Sequence, residues 1–356
     1  LKYLGIINIL SKCDALLSTT LCGAARIAVG LNDGEYEYID VPGLIGQDLE
    51  LIGSGGMGSV YRLSGGRIYK EYSDKMPFVD IIREERCAKT AFKAQISTPR
   101  SYGIYTRNNL YGIVFEEIKG RMLSDILMDN QEAGMDIEGS RNDGEDSDKI
   151  IRYASDMGRL LKSLHSAKLD EHTIPLTKDI YREYLERLDN YYTPEEVSVM
   201  SRFLENVPDR LTTLHNDFHT KNIMLKGDEL VIIDMAELSL GHPVFDLANV
   251  YDLFVLLADR TPSATMRFTG ISADISPKVW HYMIRAYMGS VNDENISSLE
   301  SILSSFSLFR VALSPAIYVN LSEETLKRRV DRSKRDFIGR IDEHIKAFKL
   351  IDDILK

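Results

Sequence analysis

Cysteine, tryptophan, basic charge and long apolar runs are all scarce in this sequence. Three cysteines (Cys13, Cys22, Cys87) and one tryptophan occur in 356 residues. The cysteines lack zinc-ligand spacing and are too few for a disulfide framework, so they read as reduced, packed thiols of a cytoplasmic protein. Lys and Arg number 43 against 54 Asp and Glu, a net charge of −11. That balance argues against a binder of nucleic-acid backbones, which shows a basic face. It leans toward a cationic substrate, although acidic surfaces commonly serve solubility alone. The most apolar early stretch, ALLSTTLCGAA at 15–25, is bracketed by Asp14 and Arg26. It is too short to cross a bilayer and lacks the basic start of a signal peptide, so no membrane association is expected. Leu1 rather than Met at the first position leaves room for an upstream segment. With 44% hydrophobic and 27% charged residues, the chain is long enough for one large two-lobed domain or two ordinary ones.

Residues 1–46 carry mixed apolar character and end in an alternating EYEYIDV strand. No activity is assigned to them, and they are the segment left for a protein partner. From about 48 the pattern is strand, glycine turn, strand, glycine turn, strand (LELIG, SVYRL, RIYKEY), an antiparallel meander. A helix is expected over 76–94, then strands at STPRSYGIY and LYGIVFEEI. After Gly120 the chain reads as mainly helical, broken by short strands around 223–234. The acidic interval 128–148 has almost no periodicity and reads as an inserted loop. Strands first and helices later give an α+β, two-lobed plan: a segment 1–46, an N-lobe 47–118 and a helical C-lobe 119–356.

LIGSGGMGSVYRL (51–63) places Gly53, Gly55 and Gly58 ahead of Val60. Such glycines let the backbone bend tightly and bring N–H donors to a phosphate. A dinucleotide-binding turn would need a helix next, and a P-loop would need Gly-Lys-Ser/Thr; neither follows. An ordinary hairpin and a phosphate-covering glycine hairpin both remain. Lys70, on the following strand, would reach the α- and β-phosphates if an acid on the next helix fixed it. Glu84 and Glu85 are the candidates, about 100° apart around the helix, and Glu84 is preferred.

HNDFHTKN (215–222) fits two chemistries. His215, Asp217 and His219 have the His-x-Asp-x-His form of a zinc or iron site, but no paired His or carboxylate motif elsewhere completes a metal hydrolase. Phosphoryl transfer uses more of the residues. It needs a carboxylate beside an acceptor hydroxyl (Asp217) and oxygen ligands for magnesium (Asn222, and Asp234 closing the strand LVIID). The segment IMLKGDELVII reads as a hairpin returning Asp234 beside Asn222.

The ordered set of Gly loop, strand Lys, helix Glu, Asp-x4-Asn and strand-end Asp resembles the protein kinase-like superfamily, and within it the aminoglycoside phosphotransferase/choline kinase-like family. HNDFHTKNIML resembles that family's His-Gly-Asp-x-His-x-x-Asn pattern, and VIIDMAEL and GHPVFDLANVY follow in order. The resemblance runs from about Leu49 to Tyr251. It implies Asp217 as catalytic base or hydroxyl-orienting residue, Asn222 and Asp234 as magnesium ligands, and Lys70 with Glu84 on the phosphates. It further implies Asp246 as a brace for the catalytic loop, and the backbone of Glu116 and Ile118, with Phe115 behind, as the adenine contact. His215 and His219 become loop-shaping residues.

Asn216 stands where the family usually has glycine, and Thr220-Lys221 where Pro-Gly is common. Lys221 is read either as stabilising the transferred phosphate or as pointing into solvent. The loop GSGGMGSVY is closer to a protein kinase's, but only twelve positions separate Asp234 from Asp246, too few for an activation segment, and no Ala-Pro-Glu follows. The expected activity is therefore ATP- or GTP-dependent, magnesium-assisted phosphorylation of a small-molecule hydroxyl. The alternatives are a Ser/Thr protein kinase and a nucleotide-binding regulator without turnover. Acceptor specificity is expected in the helices after 250. The aromatic and Met residues of YDLFVLLADR and VWHYMIRAYMGS read first as helix core, and LKRRVDRSKR (326–335) as a solvated helix face.

Overall fold

The structure is a computed structural model and describes residues 17–18, 39–40, 45–46, 49–55, 58–132, 145–170, 174–289, 291–318, 321–348 and 350–355. The 1–46 segment, apart from three two-residue pieces, and residues 133–144 of the acidic interval lie outside the described residues. So do Gly56, Met57, Cys13 and Cys22. The chain divides into two compact units, each discontinuous in sequence. One comprises Leu1–Lys93, Thr98–Lys119 and Asp234–Ala236; the other comprises Ala94–Ser97, Gly120–Ile233 and Glu237–Lys356. One boundary falls between Lys119 and Gly120. The exchanged pieces Ala94–Ser97 and Asp234–Ala236 carry no compositional mark.

The first unit is a five-stranded antiparallel sheet: β1 Glu50–Gly55, β2 Gly58–Leu63, β3 Arg67–Tyr72, β4 Ser101–Arg107 and β5 Leu110–Glu116, in spatial order β1-β2-β3-β5-β4. Gly55 pairs with Gly58 at the tip of the first hairpin. A Cβ on Gly58 would lie 1.9 Å from the Glu71 carbonyl oxygen, so only glycine lets β2 approach β3 this closely. Helix α1, Phe78–Lys93, follows β3 and buries Ile81, Glu84, Glu85, Cys87, Ala88 and Ala91. Ile81 joins Tyr72, Ile104 and Ile113 in a small core. Burying each such aliphatic side chain is worth about 1.5–3 kcal/mol. Two carboxylates on the same buried helix stripe need partners of their own.

The second unit is mainly helical. Its short strands are β6 Arg121–Met122, β7 Thr212–Leu214, β8 Ile223–Lys226, β9 Glu229–Ile232 and β10 Ser239–Gly241. β8 and β9 form the expected hairpin, Gly227 turning it at φ 62°. β8 also pairs with β6, and β7 with β10. Strands of two or three residues are too short for alternation to register, so β6, β7 and β10 were not legible.

Helices α2 Leu123–Glu132, α3 Glu145–Ser166, α4 Thr177–Glu186 and α5 Pro194–Glu205 precede the hairpin. α6 Val244–Tyr251 runs on through a π-helical turn, Asp252–Leu256, to α7 Leu257–Arg260. After it come α8 Pro262–Thr269, α9 Ser276–Met288, α10 Asp293–Ala312, α11 Ser314–Ile317 and α12 Glu323–Asp336. α3 packs along α9 through Gly158, where a Cβ would meet the Met283 carbonyl oxygen at 2.1 Å. The bland reading of the α9 sequence holds, because Trp280, Met283, Ile284 and Tyr287 are core. Phe203, Phe306, Phe309, Phe337 and Phe348 make a second, aromatic core with ring centroids 4.9–6.2 Å apart, mostly edge-on or tilted.

Candidate active site

Two clusters hold the residues that the sequence singles out. In the sheet unit, Val60 and Ile113 flank Lys70 across β2, β3 and β5. The Lys70 Nζ donates to Glu84 Oε1 at 2.7 Å and lies 3.3 Å from Asp234 Oδ1. Burial would lower the Lys70 ammonium, but the Glu84 and Asp234 carboxylates outweigh it and hold the group above its ordinary range. Lys70 is therefore a cation at every physiological pH. Glu85 instead accepts from Ser101 Oγ at 3.0 Å and pairs with Lys89 at 2.7 Å. The choice between the two glutamates is thus made by which one faces β3.

Asp234 has φ 64°, a left-handed conformation that Asp tolerates better than most residues, and its side chain is 40% exposed. At the end of β5, the Glu116 N–H donates to the Arg100 carbonyl at 2.9 Å. The Ile118 side chain beyond it is buried.

In the helical unit, the loop after β7 carries His215 to Asn222. It is fixed from below by Asp246 on α6, a fully buried carboxylate. Asp246 accepts from the N–H of His215 (2.8 Å) and of Asn216 (2.6 Å), and from His165 Nε2 (3.0 Å). Tyr287 donates in turn to His165 Nδ1 at 2.8 Å. These bonds span 31, 30, 81 and 122 residues. His165 and Tyr287 were missed by sequence reasoning, since a lone His at a helix end and a Tyr on a core stripe carry no local signal.

Asn216 has φ 61°, the region that glycine would otherwise occupy. Its side chain donates to the Glu237 carbonyl (2.7 Å) and to Ser239 Oγ (2.6 Å), and its own carbonyl accepts from Asn249 Nδ2 (2.7 Å). The residue that departs from the family's glycine therefore keeps the glycine conformation and adds two hydrogen bonds to it.

His215 Nδ1 accepts from the Asp217 N–H at 3.3 Å, so its Nε2 donates to the Ile233 carbonyl at 3.2 Å. Both ring nitrogens are occupied. Among the described residues no group of three or more His, Cys, Asp or Glu could hold a metal ion. Asn222 Nδ2 donates to the Asp217 carbonyl (3.0 Å) and to Asp217 Oδ2 (2.9 Å). His219 Nε2 lies 3.4 Å from Asp217 Oδ1. Burial would raise the Asp217 carboxyl, yet His219, His215 and the Asn222 amide together hold it below the usual carboxylate range. Asp217 is ionised throughout the neutral range.

With its nitrogen spent on Asp217, the Asn222 amide has its oxygen left as a hard donor. In the other unit, Asp234 offers carboxylate oxygens; oxygen donors of both kinds are the type that magnesium takes. Lys221 is exposed. Just before α6, His242 is buried and its Nδ1 accepts from the Val244 N–H at 3.1 Å. Burial first, then the Arg210 charge, push the His242 imidazole down to about 4 against the opposing Asp352 carboxylate.

An antiparallel sheet with one helix carrying a Lys–Glu pair, and a helical unit presenting Asp and Asn from a braced loop, define the protein kinase-like phosphotransferase class. The sequence model of the Phosphotransferase enzyme family matches residues 48–267, and the chain belongs to that family. No curated protein sequence matches it. Among solved structures, a choline/ethanolamine kinase family protein from Mesorhizobium loti is 15% identical, covering 85% of this chain and 93% of that one at a TM-score of 0.51. The ADP-bound aminoglycoside phosphotransferase APH(2'')-Ib is 15% identical, covering 83% and 94% at 0.51. The streptomycin-ATP complex of APH(2")-IIa is 14% identical, covering 83% and 93% at 0.53. At these identities the likeness is one of fold. Among the described residues no helix is long and apolar enough to cross a membrane.

Proposed function

We propose that this chain transfers the γ-phosphoryl group of ATP to a hydroxyl of a small molecule, with Asp217 as the residue that orients and deprotonates that hydroxyl. The observation that carries the reading is the state of Asp217: ionised, pinned by Asn222 and His219, and held on a loop whose backbone hangs from Asp246. A carboxylate so placed can accept the hydroxyl proton without spending energy on reorganisation. Lys70, fixed by Glu84, bears on the α- and β-phosphates, and the hairpin of Gly53, Gly55 and Gly58 with Val60 covers them. The backbone of Glu116 and Ile118, with Phe115 behind it, meets the adenine. Asn222 and Asp234 would hold magnesium, which neutralises phosphate charge when bound. Phosphoryl transfer asks for little covalent help, so positioning and charge supply most of the rate. ATP rather than GTP is favoured by the ADP and ATP held in the structurally similar proteins.

A small acceptor is favoured over a protein because α6 begins at Val244, ten residues after Asp234 (234 to 244), which leaves no room for an activation segment. Asp217→Asn should cut turnover by about a hundredfold or more while ATP affinity, measured by titration calorimetry, stays within a few-fold. Unchanged turnover would remove Asp217 from the role.

A further inference from the structure

Arg310, near the end of α10, reaches back to the candidate catalytic loop. Its Nη1 donates to Asn249 Oδ1 at 2.6 Å, and Asn249 Nδ2 donates to the carbonyl of Asn216, the residue before Asp217. Its Nε is buried with no hydrogen-bond partner among the described residues. Burial opposes the charge on this guanidinium. The Tyr181 and Tyr318 phenols and the Asp252 and Asp217 carboxylates support it and hold it above its ordinary value.

Asp252 is already shared, lying 3.6 Å from Arg260 Nη1. Arg260 is pushed below its ordinary value by burial and then by the like charge of Arg332. Arg329, one turn before Arg332 on the half-buried side of α12, lies 5.2 Å over the Tyr318 ring and donates to Ser314 Oγ. The basic run that reads as a solvated face thus turns two of its arginines inward.

Taking a cation out of water without a counter-ion is costly, and a chain with a net charge of −11 has carboxylates to spare for it. Here Arg310, joined to the Asp217 loop through Asn249, has an amide oxygen as its hydrogen-bond partner and no carboxylate within ion-pair distance among the described residues. A guanidinium fork suits carboxylate and phosphate oxygens.

We infer that the acceptor carries a carboxylate or phosphate group near the hydroxyl it offers, and that Arg310 binds that group. The inference rests on the reading of Asp217 as the residue facing the acceptor. It sets this chain apart from kinases of cationic acceptors, and it reverses the lean toward a cationic substrate drawn from net charge alone.

The test uses matched probes on the full chain without nucleotide: glycerate against glyceramide, ribose 5-phosphate against ribose, and choline and kanamycin as cations. Binding is read by thermal shift and calorimetry. The anionic member of a pair should bind about tenfold or more tightly than its neutral partner. Arg310→Met should erase that preference, and Arg310→Lys should keep part of it. Arg187→Ala, which removes an exposed arginine paired with Glu183, should leave the preference intact.

Equal or tighter binding of the neutral or cationic probes overturns the inference, and so does a preference that survives in Arg310→Met or a wild type that binds no anionic probe. The wild-type preference decides the matter even if the Met variant fails to fold. For any probe that is turned over, a fall in kcat with unchanged KM in Arg310→Met would put the guanidinium on the transferred phosphoryl group and overturn the assignment to the acceptor. ADP titration is read separately. Its failure would count against the phosphotransferase reading and leave the anion preference to stand or fall alone.

Discussion

Asn216 illustrates how much one residue can carry. A left-handed backbone costs an ordinary L-residue about 1–2 kcal/mol, which glycine escapes and Asn partly offsets with local hydrogen bonds. Asn216→Ala keeps the strain and loses both side-chain bonds, so unfolding by denaturant should show a loss of about 2–4 kcal/mol. Asn216→Gly relieves the backbone and should lose only about half as much. A larger loss for Gly than for Ala would contradict the conformational account.

His242 acts at the same scale through pH. Its folded pKa, about 4, lies below the ordinary histidine value near 6.5, so the unfolded chain binds the extra proton between those limits. Stability should therefore fall as pH drops from about 6.5 to about 4, by up to about 3 kcal/mol from this group, and should gain nothing from it above that window. His242→Asn, which can still accept from the Val244 N–H, should flatten the slope in urea titrations across that range.

Among elements, the close crossing of α3 and α9 sets two effects against each other at Gly158. Helix propensity alone favours alanine by about 1 kcal/mol. The 2.1 Å approach to the Met283 carbonyl opposes it, and overpacking of this kind costs about 1–3 kcal/mol. Gly158→Ala should lower the thermal midpoint, because the obstruction is backbone and cannot rotate away. The elements themselves were legible to differing degrees. The meander, α1 and the β8–β9 hairpin show in periodicity and turn residues, since each is local. That Glu84 rather than Glu85 meets Lys70 needs the helix phase, which a stripe carrying two adjacent buried acids does not give. β6, β7 and β10 have no local signature and exist because tertiary pairing supplies their partners. The same applies to His165, Tyr287, Asn249 and Arg310, whose roles are set by residues between 33 and 122 positions away.

At the level of the whole chain, the two-lobed α+β plan was readable because composition changes near Gly120 and the motifs keep a fixed order. The exchange of Ala94–Ser97 and Asp234–Ala236 between units was not, as three or four residues leave no trace in composition. The Asp246 brace has a consequence in time. The loop that carries Asp217 takes its shape only when a helix end at His165, a helix start at Asp246 and a third helix at Tyr287 have all arrived, and contacts of such separation close late. After dilution from denaturant, helical ellipticity should return first and phosphoryl transfer only afterwards, with an interval that lengthens in His165→Ala. A young copy of this protein would look folded before it could work.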